Sequence, residues 1–334
     1  MLNLQEFRDY VEATLPELLP EDRQDVVIEQ HDVKKNNGLT LHAISVRPAE
    51  SEIAPNIYVD PYFERYKAGE ALDTVMKDVT EVVVKNLDAP KEFEKVAKDF
   101  QNFDTIKDRI IMAAVNTEKN ADLLKEVPHT EKEDLSLIYK AMIGGDDEGM
   151  ATITIRNEHM AHWGVTTEEL HELAMENTRE LLPVTVRTMD EVMRGFLGED
   201  VAGAMFEDVP PEGQMYIISN KENVNGAASM FYEDTLSELS EKIGSDLYIL
   251  PSSIHEVIAV SSKLGTPEEL SQMVREVNGS QVAPEEQLSD HVYKFDAETK
   301  KLSLADTTME ELKKAAGAED MAATEGSRPH HRAR

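Results

Sequence analysis

The residues most able to do chemistry stand together in Leu250-Pro251-Ser252-Ser253-Ile254-His255-Glu256. Serine, histidine and a carboxylate are the parts of an acyl-transfer triad. Their spacing argues against that use. On an extended segment over 254–260, His255 and Glu256 point to opposite faces, so Glu256 cannot orient His255. A nucleophile elbow also needs glycine on both sides of the serine, and neither serine has it. The turn therefore reads as two serines capping the chain after Pro251 beside a half-buried His255. A ligand-binding turn and, beyond it, catalysis stay open as alternatives.

Three further groups could carry chemistry. In Asn223-Val224-Asn225-Gly226-Ala227-Ala228-Ser229 the small residues allow close backbone approach to a ligand or to another strand. No phosphate-loop lysine or Gly-x-Gly-x-x-Gly pattern accompanies it. His159 and His162 share one face of a helical turn, with Glu158 and His171 within reach of it. A zinc site needs a third ligand and an ordered set, and two exposed histidines flanking a buried Trp163 is the simpler account. On the 167–182 helix, Asn177 lies on the face of Leu170, Leu173, Ala174 and Leu181, where an amide must be hydrogen-bonded. It either pins a strand or lines a polar cavity. The candidate ligand-binding residues are thus Asn177, Asn225, Gly226, Ser252, Ser253 and His255, with no metal site and no cofactor expected.

The elements that would position these groups follow from pattern. A helix is expected over 2–14, ended by Pro16 and Pro20. A hairpin follows over 25–47, turned at Asn36-Asn37-Gly38, where Asn-Gly suits a type I′ turn. Then come an extended piece at Ile57–Phe63 and helices over 69–87 and 90–101. From residue 108 the pattern reads twice as β-α-β-β-α, over about 108–182 and 214–278. Asp134-Leu135 answers to Asp246-Leu247, and the capping boxes Thr166…Glu169 and Thr266…Glu269 open the closing helices. Between the two, 183–211 is a connector containing a helix. A hairpin over 290–304 precedes a short helix and a disordered tail. The expected fold class is α+β, a mixed or antiparallel sheet with helices and an internal repeat. The expected domains are 1–105, 106–305 and a 306–334 tail.

Composition narrows the function classes. With 66 acidic against 34 basic residues the net charge is −32, which disfavours nucleic acid and anionic membranes, since both draw their affinity from Lys and Arg. Cysteine is absent, so disulfides and thiolate sites are excluded. The first residues lack the pattern of a signal peptide, and no apolar run reaches bilayer length. A cytoplasmic setting is expected.

Pro128-His129-Thr130, Asp134-Leu135, Ile155-Arg156-Asn157, Trp163-Gly164-Val165-Thr166, Ala174-x-x-Asn177, Asn225-Gly226-Ala227-Ala228 and above all Tyr248-Ile-Leu-Pro-Ser-Ser-Ile-His-Glu256 resemble a bacterial (Firmicutes) family of the domain-of-unknown-function class, DUF5688-like. The resemblance covers most of residues 1–305 and implies a Gram-positive cytoplasm, often beside mobile elements. It implies no activity and no site residues. The reading favours a non-enzymatic binding or interaction protein with a protein or small-molecule partner. The alternatives are a hydrolase or transferase using Ser252, Ser253 and His255, or an acidic nucleic-acid mimic acting on a basic protein.

Overall fold

A computed structural model describes residues 1–49, 56–87, 99–146, 149–198, 209–308, 311, 312 and 314. The chain divides into two compact units, Met1–Ile106 and Lys107–Arg334. The fold is α+β, and among the described residues every strand pairing is antiparallel.

The first unit is a three-stranded sheet, β1 (Val26–Lys34), β2 (Thr40–Pro48) and β3 (Asn56–Tyr58), in that order. Asn37 and Gly38, at φ 60° and 70°, make the type I′ turn that the Asn-Gly pair predicts. Helices α1 (Leu4–Leu18), α2 (Asp60–Lys67) and α3 (Leu72–Leu87) accompany the sheet, and the single turn α4 (Phe103–Ile106) ends the unit. Phe7, Val11 and Leu15 of α1 meet Val75, Val79 and Val83 of α3 in its core. Two expectations are corrected here. Pro16 lies inside α1 rather than ending it, because its missing N–H orphans only the carbonyl of exposed Glu12. The extended piece at 57–63 stops at Tyr58, and Asp60-Pro61 opens α2, proline being well placed in a first helical turn. The helix expected over 90–101 lies largely outside the described residues.

The second unit carries two sheets. In the first, β4 (Ile110–Asn116) pairs with β6 (Leu135–Asp146), whose other edge takes β5 (His129–Lys132) and, further along, β7 (Gly149–Thr154). The helices here are α5 (Ala121–Leu124), α6 (Asn157–Trp163) and α7 (Thr167–Leu181). The second sheet runs β13 (Lys301–Leu304), β12 (Tyr293–Asp296), β10 (Leu247–Leu250), β11 (Val257–Ser261), β9 (Tyr216–Asn220), β8 (Val184–Thr188). Its helices are α8 (Met189–Leu197), α9 (Glu233–Ile243) and α10 (Pro267–Ser280). The connector therefore contains an edge strand as well as a helix. Strand β5 lies where the sequence reading expects only a link to β6. Both capping boxes form: Thr166 and Thr266 each accept from the amide three residues on, and Glu169 and Glu269 each reach back.

Strand β4 is buried along its whole length, and α7 closes the edge that β6 leaves open. The buried stripe of α7 is Leu170, Ala174 and Thr178, not the expected face through Leu181, which is exposed. Thr178 can be buried because its hydroxyl donates to the Ala174 carbonyl at 2.6 Å and accepts from the Met112 amide at 3.0 Å. One side chain so satisfies both its own polarity and an edge group of the strand.

Candidate functional site

The segment 251–255 links β10 to β11 and is held from both sides. On one side the amides of Ser289, Leu288 and Ile254 close a short ladder: Ser289 to the Pro251 carbonyl (2.9 Å), Leu288 to the Ser252 carbonyl (3.0 Å), and Ile254 to the Glu286 carbonyl (2.8 Å). Ser253 and Gln287 form a bridge within it. On the other side Ala227 donates to the Ile254 carbonyl at 3.2 Å and the Ser219 hydroxyl to the His255 carbonyl at 2.8 Å. A segment with no regular strand partner has thus acquired partners on both edges, which is why Pro251 and Ser253 can be buried here.

Gly226 explains the small-residue loop. A Cβ placed on it would lie 2.3 Å from Ser219 Oγ, 2.5 Å from the His255 carbonyl oxygen and 2.8 Å from the Asn220 amide nitrogen. Two of those three atoms are backbone. Asn223 and Asn225, at φ 53° and 54°, take the left-handed conformation that asparagine tolerates and bring the loop into place. The close approach that the sequence permits is an approach to the Ser-Ile-His segment itself.

The structure thus brings Asn225, Gly226, Ser253 and His255 together and leaves Asn177 elsewhere. The Ser253 hydroxyl accepts from the backbone amide of His255 at 3.0 Å, so serine and histidine meet through the main chain rather than through the ring. The ring turns away from the serines. Its Nδ1 accepts from the Asn225 amide at 3.4 Å and its Nε2 lies 3.5 Å from Glu286 Oε1. Ser252 contributes its carbonyl. His255 and Glu256 precede β11, which begins at Val257, so the strand argument about their faces does not apply. Glu286, from the 283–289 loop, is the carboxylate that faces the ring. Asn177 pins the entry to β4, its Nδ2 donating to the carbonyls of Lys107 (2.7 Å) and Ile110 (3.1 Å).

The histidines of the first half have separate tasks. His159 Nδ1 accepts from the Arg156 amide at the start of α6, and its ring packs on half-buried Trp163 at 5.7 Å. His171 Nδ1 lies 3.1 Å from the Tyr139 hydroxyl. Burial pushes both imidazoles below their ordinary pKa. His162 is exposed. Among the described residues no three His, Cys, Asp or Glu side chains form a group that could hold a metal ion.

Two features escape the sequence reading. The first is a polar knot at Asp134: Oδ2 accepts from the Ser289 hydroxyl at 2.6 Å and Oδ1 from the Tyr293 hydroxyl. Burial, then the neighbouring Asp134 charge, pushes the Tyr293 phenol well above its ordinary range, so it remains a donor. Asn116 joins the same region, donating to the Leu288 carbonyl at 3.0 Å. The second is a pair of cavities along α9. One, of about 250 Å³, is bounded by Lys132, Glu133, Glu233 and Lys300 over a floor that includes Leu236 and Phe295. The other, of about 320 Å³, lies towards the end of α9 and is bounded by Ser237, Ser240, Ser245, Asp246 and, again, Lys300. These residues come from three separated stretches of chain. The left-handed turn residues Glu133, Gly244 and Lys300, at φ 57°, 73° and 55°, mark the place locally.

No described helix is long and apolar enough to cross a membrane. The family of unknown function DUF5688 matches residues 4–297, and the chain belongs to it. No curated protein and no solved structure gives a match.

Proposed function

We propose that this protein acts by binding, as a non-enzymatic cytoplasmic binding or interaction protein with a protein or small-molecule partner. One observation carries the reading. The side chains most capable of reaction, Ser253 and His255, are committed to holding the chain to itself, and their mutual hydrogen bond runs through a backbone amide. Catalysis by a serine-histidine pair requires the hydroxyl to meet the imidazole directly. The cavities along α9, by contrast, present charged and apolar groups to whatever enters them.

The absence of cysteine and the family resemblance support a bacterial cytoplasm, and the net charge of −32 supports a partner other than nucleic acid. The reading includes an internal duplication. It is supported by the order first strand, third strand, second strand, which recurs as β4-β6-β5 and β9-β11-β10, with a capped helix closing each stretch.

The test is thermal stability of the full chain against metabolites, nucleotides and divalent ions, with hydrolysis of ester and amide probes measured in parallel. A ligand at a hundred times its Kd adds about 2.7 kcal/mol, which registers as a clear rise in Tm. A rise without turnover supports binding. Turnover that Ser253→Ala abolishes overturns it in favour of a hydrolase.

A further inference from the structure

The 250 Å³ cavity at the first turn of α9 is bordered by two lysines and two glutamates. Lys132 and Glu133 reach it from the end of β5, Glu233 from α9, and Lys300 from the β12–β13 turn. None of the four makes an ion pair with another described residue. In so acidic a chain a lysine readily finds a carboxylate, as Lys67, Lys125 and Lys294 do at 2.8–3.0 Å. Here two ammonium and two carboxylate groups border one cavity without closing on each other. Beneath them lie Met230, Leu236 and Phe295, all buried, and the Tyr293 ring, whose hydroxyl is already taken by Asp134. Lys300 also borders the neighbouring cavity.

We propose that this cavity binds a small apolar zwitterion of the α-amino-acid class. The lysines hold its carboxylate, the glutamates its ammonium, and Leu236 and Phe295 its side chain. Size and charge together select this class. A volume of 250 Å³ falls below the roughly 300–1,000 Å³ of sites for drug-sized ligands and cofactors. A simple anion leaves the glutamates facing it, and a simple cation leaves the lysines. A zwitterion satisfies both pairs, and an apolar body makes use of a floor that offers no further polar group. The inference rests on the binding reading above and names its site and ligand class.

Calorimetric titration of the full chain with L-leucine and L-phenylalanine tests it, with isocaproate and isoamylamine as singly charged analogues. The expected result is saturable binding of an amino acid and at least about tenfold weaker binding of each analogue, charge-assisted hydrogen bonds being the difference. The Lys132→Met/Lys300→Met double variant should show a similar loss with its far-UV spectrum and Tm unchanged. Should that variant unfold, the analogue series on the wild-type chain decides alone. Equal binding of amino acid and analogues overturns the proposal. So does silence towards both amino acids while another ligand raises Tm, an outcome that leaves the broader binding reading standing. No response to any ligand or protein partner overturns both.

Discussion

The stretches 110–181 and 216–280 of the second unit solve the same problem differently. Each begins with a strand ending in a buried asparagine whose side chain organises the next turn. Asn116 Oδ1 accepts from the Lys119 amide at 2.9 Å, and Asn220 Oδ1 from those of Glu222 and Val224 at 3.1 and 3.3 Å. Each ends in a helix with the same capping box. They differ in what guards the open edge of the first strand. For β4 it is a helix that lends side chains, Thr178 and Asn177. For β9 it is a further strand, β8. They differ too in the link between second and third strands. Between β5 and β6 a tight turn through Glu133 suffices. Between β10 and β11 a longer, partly buried segment is clasped from two sides. Polar edges can be satisfied by side chains or by main chain, and the main-chain solution demands closer approach.

Closer approach predicts the largest effect. Gly226→Ala should destabilise the chain by about 3 kcal/mol, because the added methyl meets two backbone atoms that cannot rotate away. Glu118→Ala, exposed in the corresponding turn after β4, should stay within about 0.5 kcal/mol. Urea unfolding of the two variants measures the contrast directly. Equal costs would mean that the clasp is no tighter than an ordinary turn.

The side-chain solution is cheaper to break. Asn177→Ala removes both hydrogen bonds to the entry of β4 and should cost about 2 kcal/mol, since each abandoned carbonyl regains water only in part. Hydrogen exchange should show the β4 amides opening sooner while those of β9 keep their protection. Uniform loss of protection across both sheets would show that Asn177 supports the whole unit rather than one edge.

What was legible in the sequence divides along the same line. Local chemistry could be read. The Thr166 and Thr266 caps, the Asn37-Gly38 turn and the strand-pinning role open to Asn177 all depend on residues close in sequence or on one helix face. Strands β5 and β8 were missed for a physical reason. His129-Thr-Glu-Lys132 and Val184-Thr-Val-Arg-Thr188 are short and polar, and they become strands only because β6 and β9 offer edges to pair with. The same reason separates the sequence pattern from the sheet order. In sheet position β5 and β10 are each third from the first strand's edge, whereas the Asp-Leu pairs lie at the starts of β6 and β10. The α9 cavity was invisible because Lys132, Glu233 and Lys300 converge only through tertiary contact.

The caps offer a nearly matched pair. Thr166→Ala and Thr266→Ala should each cost about 1 kcal/mol, the usual worth of a threonine N-cap, since their hydrogen bonds agree within 0.2 Å. A cost confined to one helix would show that the two stretches share a motif but not its energetic weight.

The smallest expected effect is a pH dependence peculiar to the end of the second stretch. His291 Nδ1 lies 3.1 Å from Asp306 Oδ2, and the Val292 amide donates to the other carboxylate oxygen. The Asp306 contact, against the opposing cost of burial, lifts the imidazole above its ordinary pKa of 6.5, with Asp134 and Asp290 adding to the pull. A group whose folded-state pKa is raised binds its proton more tightly when folded. Its contribution is therefore complete below about pH 6.5 and is lost as pH rises through the folded-state value. Unfolding free energy should fall over that interval, and Asp306→Asn should flatten the slope while leaving stability above it nearly unchanged. A slope that survives the substitution would transfer the effect to another group. One that reverses would mean that burial outweighs Asp306, placing the His291 pair with the buried, depressed histidines of the first stretch, His159 and His171.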